Sequence, residues 1–141
     1  MLVSVKGLRK LVDLKDLSAE DIALKLTFAG IEVEEIQKLA SGTNLIIGEI
    51  LECVEHPDSD HLHILKVDLG SKYGIEQIVC GAPNARKGLK VIVARVGAKL
   101  PGGTISKGTI RGVESNGMCC SLLELGVPNK FLNEKQTSGI E

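Results

Sequence analysis

Tryptophan is absent from this 141-residue chain, and Phe28, Tyr73 and Phe131 are its only aromatic residues. Proteins that grip single-stranded nucleic acid stack successive bases on aromatic rings, each stack contributing about 1–3 kcal/mol. A chain with three rings is not equipped for that mode. No apolar run reaches about 18 residues, the length of a membrane-spanning helix, and the opening Met1-Leu2-Val3-Ser4-Val5-Lys6 lacks the apolar stretch of a secretory signal. The expectation is a cytoplasmic chain with no membrane partner. Cys53, Cys80, Cys119 and Cys120 contain no CxxC pair, so they form neither a zinc motif nor a secreted disulfide framework and read as buried or inert thiols. Neither GxGxxG nor GxxxxGK[ST] occurs, so nothing points to a nucleotide cofactor.

The longest stretch without an acidic residue is also rich in bases. Between Gln77 and Val113 lie Arg86, Lys87, Lys90, Arg95, Lys99, Lys107 and Arg111 and not one Asp or Glu, although the whole chain has a net charge of -1. The near-neutral total leaves room for an anion-binding face, and nucleic acid is the largest common cellular polyanion. Charge alone does not make one, since a run of bases is more often simply a solvated face. With so few rings available, a nucleic acid bound here is expected to be read through backbone and shape, as folded or double-stranded RNA is. Arg86-Lys87-Gly88-Leu89-Lys90 falls between two strand-like runs, where backbone amides near Gly81 and Gly88 can join the bases on phosphate.

Residues 1–39 read as a small helical unit ending in a strand, and residues 40–141 as the main domain. Ser18-Ala19-Glu20-Asp21 has the form of a capping box and Gly30 of a helix C-terminal cap. Ile31, Val33 and Ile36, set among Glu32, Glu34 and Glu35, suit a short exposed strand. A weaker helix is expected over Val5 to Val12, where Gly7 costs about 1 kcal/mol relative to Ala. Ser41-Gly42-Thr43 is the small polar break before the next apolar run.

Beyond that break the period becomes two. Strands are expected over Leu45–Val54, interrupted at Gly48, over His61–Leu69, Gln77–Cys80 and Leu89–Val96, and near Thr109. Eleven of the sixteen glycines lie between Gly70 and Gly126, which suits curved strands joined by short turns. About five strands in about 85 residues predict a mainly β fold, a five-stranded oligonucleotide-binding (OB-fold) barrel with a small N-terminal α+β half-domain.

His56, Asp58, Asp60, His61 and His63 form the one cluster with metal-ligand chemistry. Pro57-Asp58-Ser59-Asp60 is turn chemistry, however, and no further paired ligands follow it, so no metal is expected. Adjacent Cys119 and Cys120 are read as alternating packing residues rather than a reactive pair.

Gly112-Val113-Glu114-Ser115-Asn116-Gly117-Met118, together with His56-Pro57-Asp58-Ser59-Asp60 and Leu62, resembles the tRNA-binding domain found in several synthetases and as free-standing tRNA-binding proteins. Ile78-Val79-Cys80-Gly81-Ala82-Pro83-Asn84, Leu122-Leu123-Glu124-Leu125-Gly126 and the segments Val3–Lys6 and Ala29–Val33 narrow the resemblance to the N-terminal region of the bacterial phenylalanyl-tRNA synthetase beta subunit. It extends over essentially the full chain and implies an excised fragment. Family members usually carry Trp at the position of Gly7, whose absence removes a large apolar anchor. The parent enzyme implied by the resemblance is an ATP- and magnesium-dependent phenylalanine-tRNA ligase of two alpha and two beta subunits. The fragment itself is expected to hold no catalytic residue, cofactor or metal.

The resemblance also implies that the N-terminal unit is a half-domain with an exposed apolar face, open to self-association. Expected phosphate contacts are Arg86, Lys87, Lys90, Arg95, Lys99 and Arg111, with Asn84, Ser115 and Asn116 as donors to sugar or base edges. The alternatives are a free-standing homodimeric tRNA-binding protein, and an assembly module of the synthetase that never touches RNA.

Overall fold

The strand-forming runs assemble antiparallel around one long strand in a computed structural model that describes residues 1–38 and 40–141. In chain order the strands are β1 (Leu45–Glu55), β2 (His63–Asp68), β3 (Ile75–Cys80) and β4 (Lys90–Ala94). The short pairs β5 (Lys99–Leu100) with β6 (Gly103–Thr104), and β7 (Gly108–Ile110) with β8 (Val113–Ser115), precede β9 (Met118–Cys119). The main sheet has the order β3-β2-β1-β4-β9. Period-two alternation drives it: Leu65, Val67 and Leu69 of the second run are buried while Lys66 and Asp68 are only partly covered.

β1 serves two neighbours. Its first half pairs with β4 from Leu45↔Ala94 to Glu49↔Lys90, and from Glu49 onward it pairs with β2, with a register shift between Ile50 and Glu52. Such an irregularity bends the strand. Gly48, expected to interrupt β1, instead lies inside it, because a Cβ there would stand 2.7 Å from Val67 Cγ1 and 2.8 Å from Leu69 Cδ2. The missing side chain lets β1 and β2 approach as the sheet curls. Ile50, Leu65, Val67, Ile78, Val91 and Val93 fill the interior.

The sheet edges β3 and β9 are joined through the residues just before β9. The Asn116 amide donates to the Gln77 carbonyl at 2.8 Å, and Gln77 Nε2 donates to the Glu114 carbonyl at 2.9 Å. The Val79 amide donates to Ser115 Oγ at 3.0 Å, and that hydroxyl donates to the Gly117 carbonyl at 3.1 Å. The result is a mainly β, five-stranded antiparallel barrel of the oligonucleotide-binding kind.

A C-terminal strap completes it. After the short helix at Glu134–Ser138, Gly139-Ile140-Glu141 enters the barrel wall. The Ile92 amide donates to the Glu141 carbonyl, and the Glu141 amide donates to the Cys120 carbonyl at 3.2 Å. Ile140 is 5% exposed and belongs to the main core cluster.

Met1–Lys38 forms a compact unit of its own, distinct from Leu39–Glu141. Its helix Ala19–Phe28 begins with the expected capping box: Ser18 Oγ accepts from the Asp21 amide at 3.0 Å, and Asp21 accepts from the Ser18 amide at 3.0 Å. Bonds from Ser18 hold the Asp21 carboxyl below its ordinary pKa. Gly30, at φ 90°, turns the chain out of the helix, with the Gly30 amide on the Thr27 carbonyl and the Ile31 amide on the Leu26 carbonyl. The first helix is shorter than its sequence suggests, covering Val5–Leu8 and continuing as turns. Residues 31–38 form no strand, because within this unit there is no second strand to complete a ladder. Leu11, Val12, Leu24, Phe28 and Ile31 are exposed, and Ile22 is the one buried apolar residue of the helix.

Candidate nucleic-acid interface

The acid-free stretch does not form one patch. Lys90 opens β4 and Arg95 follows its end, so at about 3.3 Å per residue the two lie about 16 Å apart along the strand. Three separate basic groups result.

The first is the β3–β4 loop. Arg86, Lys87 and Lys90 are exposed. The loop is pinned to β1 where the Gly88 amide donates to the Ile50 carbonyl at 2.7 Å and the Ile50 amide to the Leu89 carbonyl at 2.9 Å. Arg86 Nη1 donates to the Asn84 carbonyl at 3.2 Å, while Glu49 stands directly across from Lys90 in the β1–β4 ladder. Gly88, at φ 83°, shapes the turn, and its amide, expected to join the bases on phosphate, is instead spent on the Ile50 carbonyl.

The second group lies at the opposite end of β4. The Arg95 guanidinium carbon is 3.8 Å from the centre of the Tyr73 ring, in the β2–β3 turn, and Lys72 Nζ is 5.1 Å from the same ring. Lys99 is exposed, and its amide donates to Thr43 Oγ1 at 3.0 Å. Lys72 and Tyr73 escape a search of the acid-free stretch because they precede it. The available signal is the chain's single tyrosine beside a lysine.

The third group is the β7–β8 hairpin. Arg111 and Gly112 occupy its two-residue turn at φ 47° and 81°, the left-handed pair that suits a tight hairpin. Arg111 Nη1 donates to the Asp58 carbonyl at 2.8 Å, tying the hairpin to the β1–β2 loop. Lys107 pairs with Glu114 at 2.8 Å across the hairpin; the bond raises the lysine's pKa and lowers the carboxylate's.

The three polar residues expected to donate to RNA have internal partners. Asn84 Nδ2 donates to the Ile140 carbonyl and Asn84 Oδ1 accepts from the Ile140 amide, each at 2.9 Å, so the side-chain amide clamps the strap. Ser115 is buried, with its hydroxyl held between Val79 and Gly117. Asn116 is partly buried, its backbone amide on Gln77. Ser115→Ala is expected to cost about 1–3 kcal/mol, because it leaves the buried Val79 amide without an acceptor. Urea unfolding measures this; an unchanged midpoint would show that the hydroxyl does not join the barrel edges.

The histidine cluster is turn architecture. Buried His56 accepts from the Asp58 amide at Nδ1 (3.0 Å) and donates from Nε2 to the Ile110 carbonyl (3.1 Å), committing both ring nitrogens. His61 Nδ1 contacts Asp60 Oδ1 at 3.0 Å, and bonding to His61 lowers the Asp60 pKa. Among the described residues no three His, Cys, Asp or Glu side chains are arranged to hold a metal ion. Cys119 packs into the main cluster and Cys120 into a second one around Leu125, as alternating residues do. The Cys119 thiol donates to Cys80 and is pushed up in pKa, while Cys80 is held down at about 7 by that bond.

A cleft of about 690 Å³ runs beside the joined edges and is lined by Leu62, Ile110, Met118, Leu123 and Glu124 among others. No lysine or arginine lines it. Its one acid, Glu124, accepts from the Ser121 amide at 2.7 Å and from Ser121 Oγ at 2.9 Å. The exposed cations of the barrel therefore lie on its loops and ends, outside this cleft.

Residues 45–138 match a family described as "Putative tRNA binding domain". The chain is 50% identical over 142 residues to the phenylalanine–tRNA ligase beta subunit of Halalkalibacterium halodurans, covering 99% of this chain and 18% of that protein. It is 48% identical over 142 residues to the same subunit of Geobacillus kaustophilus and 46% identical over 143 to that of Streptococcus thermophilus, again across 18% of each relative. The chain thus spans about a fifth of the length of these curated relatives. Among solved structures it is similar to the C-terminal domain of Plasmodium vivax p43, with 24% identity and a TM-score of 0.44 over 60% of this chain and 48% of that one.

Proposed function

This chain belongs to the tRNA-binding domain family, and from that premise we propose that its barrel binds folded tRNA through phosphate contacts, as the tRNA-binding module of a phenylalanine–tRNA ligase beta subunit. The family match over residues 45–138, which coincides with the barrel, carries this reading. Arg86, Lys87, Lys90, Arg95, Lys99 and Arg111 supply the phosphate contacts, and Asn84, Ser115 and Asn116 hold the backbone that presents them, in addition to any bond they offer to sugar or base edges. The barrel offers few rings for base stacking, so folded tRNA is expected to outcompete single-stranded RNA of equal length. Charging of tRNA with phenylalanine, with its ATP and magnesium, is assigned to the rest of the ligase and its alpha subunit. The apolar side chains exposed on Met1–Lys38 favour a second role for that unit, packing against protein.

Titrating labelled tRNA at several salt concentrations tests the reading. Each phosphate neutralised contributes about 0.7–0.9 to the log–log slope, and a slope of about three or four is expected. Lys87→Glu with Lys90→Glu should weaken binding and flatten the slope. Unchanged affinity would remove the β3–β4 loop from the surface, and no binding even at low salt would overturn the proposal.

A further inference from the structure

The group around Tyr73 is built differently from the other two. The Arg95 guanidinium lies on the ring at 3.8 Å, and its Nη1 donates to Asn44 Oδ1 at 3.3 Å. Asn44 is itself fixed: the Arg95 amide donates to its carbonyl at 3.2 Å, and its Nδ2 donates to the Val96 carbonyl at 3.1 Å. It adopts φ 54°, a left-handed conformation that asparagine tolerates better than most residues. The guanidinium is therefore held at its face by the ring and at one nitrogen by an amide that is itself immobilised.

Two further cations share this end of the barrel. Lys72 lies beside the same ring, and its hydrogen bond with the tyrosine hydroxyl lowers the Tyr73 pKa. Lys99 arrives through a two-bond ladder, in which the Thr43 amide donates to the Lys99 carbonyl at 3.0 Å and the Lys99 amide donates to Thr43 Oγ1 at 3.0 Å. Among the described residues, the ion pairs are Lys38–Glu20, His61–Asp60 and Lys107–Glu114, and none involves Lys72, Arg95 or Lys99.

We propose that Lys72, Arg95 and Lys99 form a phosphate-binding site at this end of the barrel, with Tyr73 and Asn44 as positioning residues for the guanidinium, and that its ligand is the sugar-phosphate backbone of folded RNA. Tyr73 packs against the core cluster and lies under Arg95, so the ring serves as a platform for the arginine rather than for a base. A planar guanidinium with fixed orientation presents its remaining N–H groups as a fork, the geometry that suits phosphate oxygens. Lys72 and Lys99 add point charges at the same end of the barrel. This site deepens the tRNA-binding reading and rests on it.

The test is tRNA titration of the unaltered 141-residue chain against Lys72→Gln with Arg95→Gln, at several salt concentrations, with thermal midpoints recorded alongside. The expected result is at least a tenfold loss of affinity and a slope lower by about 0.7–0.9 for each cation removed. Lys72→Gln alone, at an exposed position, keeps the test decisive if the double variant unfolds, and should lower the slope by one such step. Tyr73→Leu changes no charge but removes the platform; it should weaken binding severalfold, and Tyr73→Phe should restore it. If the unaltered chain binds tRNA and both lysine and arginine variants bind equally well, this site is overturned while tRNA binding stands. If the unaltered chain binds no tRNA, both fall. Binding of polyglutamate that Lys72→Gln and Arg95→Gln abolish, with tRNA binding unaffected, would assign the site to an acidic protein and overturn the RNA assignment.

Discussion

Ile140→Ala is expected to destabilise the barrel by about 2–5 kcal/mol, the range for truncating a large buried aliphatic residue. Ile140 lies near the end of the chain, where truncation usually costs little. Here it is 5% exposed and packs into the main core cluster with Leu65, Ile78 and Val93. Its backbone is equally committed, because Asn84 satisfies both its amide and its carbonyl at 2.9 Å. Gly139 is part of the same fit, since a Cβ there would stand 2.7 Å from Asn84 Nδ2. Asn84→Ala should therefore also destabilise, by about 1–3 kcal/mol, through two backbone groups left without partners. Urea unfolding followed by circular dichroism measures both. A lower midpoint at unchanged m-value is expected, and a loss under about 0.5 kcal/mol for Ile140→Ala would show that the strap does not occupy the core in solution.

Gly48→Val is expected to be at least as damaging per atom added. The introduced Cβ would lie 2.7 Å from Val67 Cγ1, 2.8 Å from Leu69 Cδ2 and 3.0 Å from the Asp68 carbonyl oxygen. Val67 is fully buried and Asp68 O is backbone, so neither can simply swing away. Overpacking of this kind costs about 1–3 kcal/mol and occasionally more. Gly48→Ala should show the smaller effect, and adding Val67→Ala should recover part of it, giving a coupling energy in a double-mutant cycle. Strictly additive losses would mean that the close approach of β1 and β2 is not what requires glycine.

These two positions show where reading by residue type runs out. Gly48 is visible in the sequence as a break in a β run, and a break is what glycine usually signals. The curled barrel reverses that meaning, because the strand continues and only the side chain is forbidden. Asn84 and Ser115 are small polar residues in loop-like surroundings, and such residues commonly face a ligand. Their partners lie far away in sequence: Asn84 to Ile140 spans 56 residues and Ser115 to Val79 spans 36. No local pattern reports a hydrogen bond of that range. The segment at residues 31–38 fails for the converse reason, since alternation permits a strand but only a neighbouring edge makes one.

The sequence by itself determined the period-two runs that become the barrel, the capping box at Ser18, the scarcity of rings, the acid-free basic stretch and the motifs that carry the family resemblance. All of these depend on residue type or on neighbours a few positions apart. Only the tertiary structure decided which cations meet. It divided the basic stretch among the β3–β4 loop, the β7–β8 hairpin and the Tyr73 end, and brought in Lys72 from outside that stretch. Charge is a property of each residue, but a binding site is a property of distance, and distance here is set by how β1 bends around a buried glycine and which strand edges it brings together.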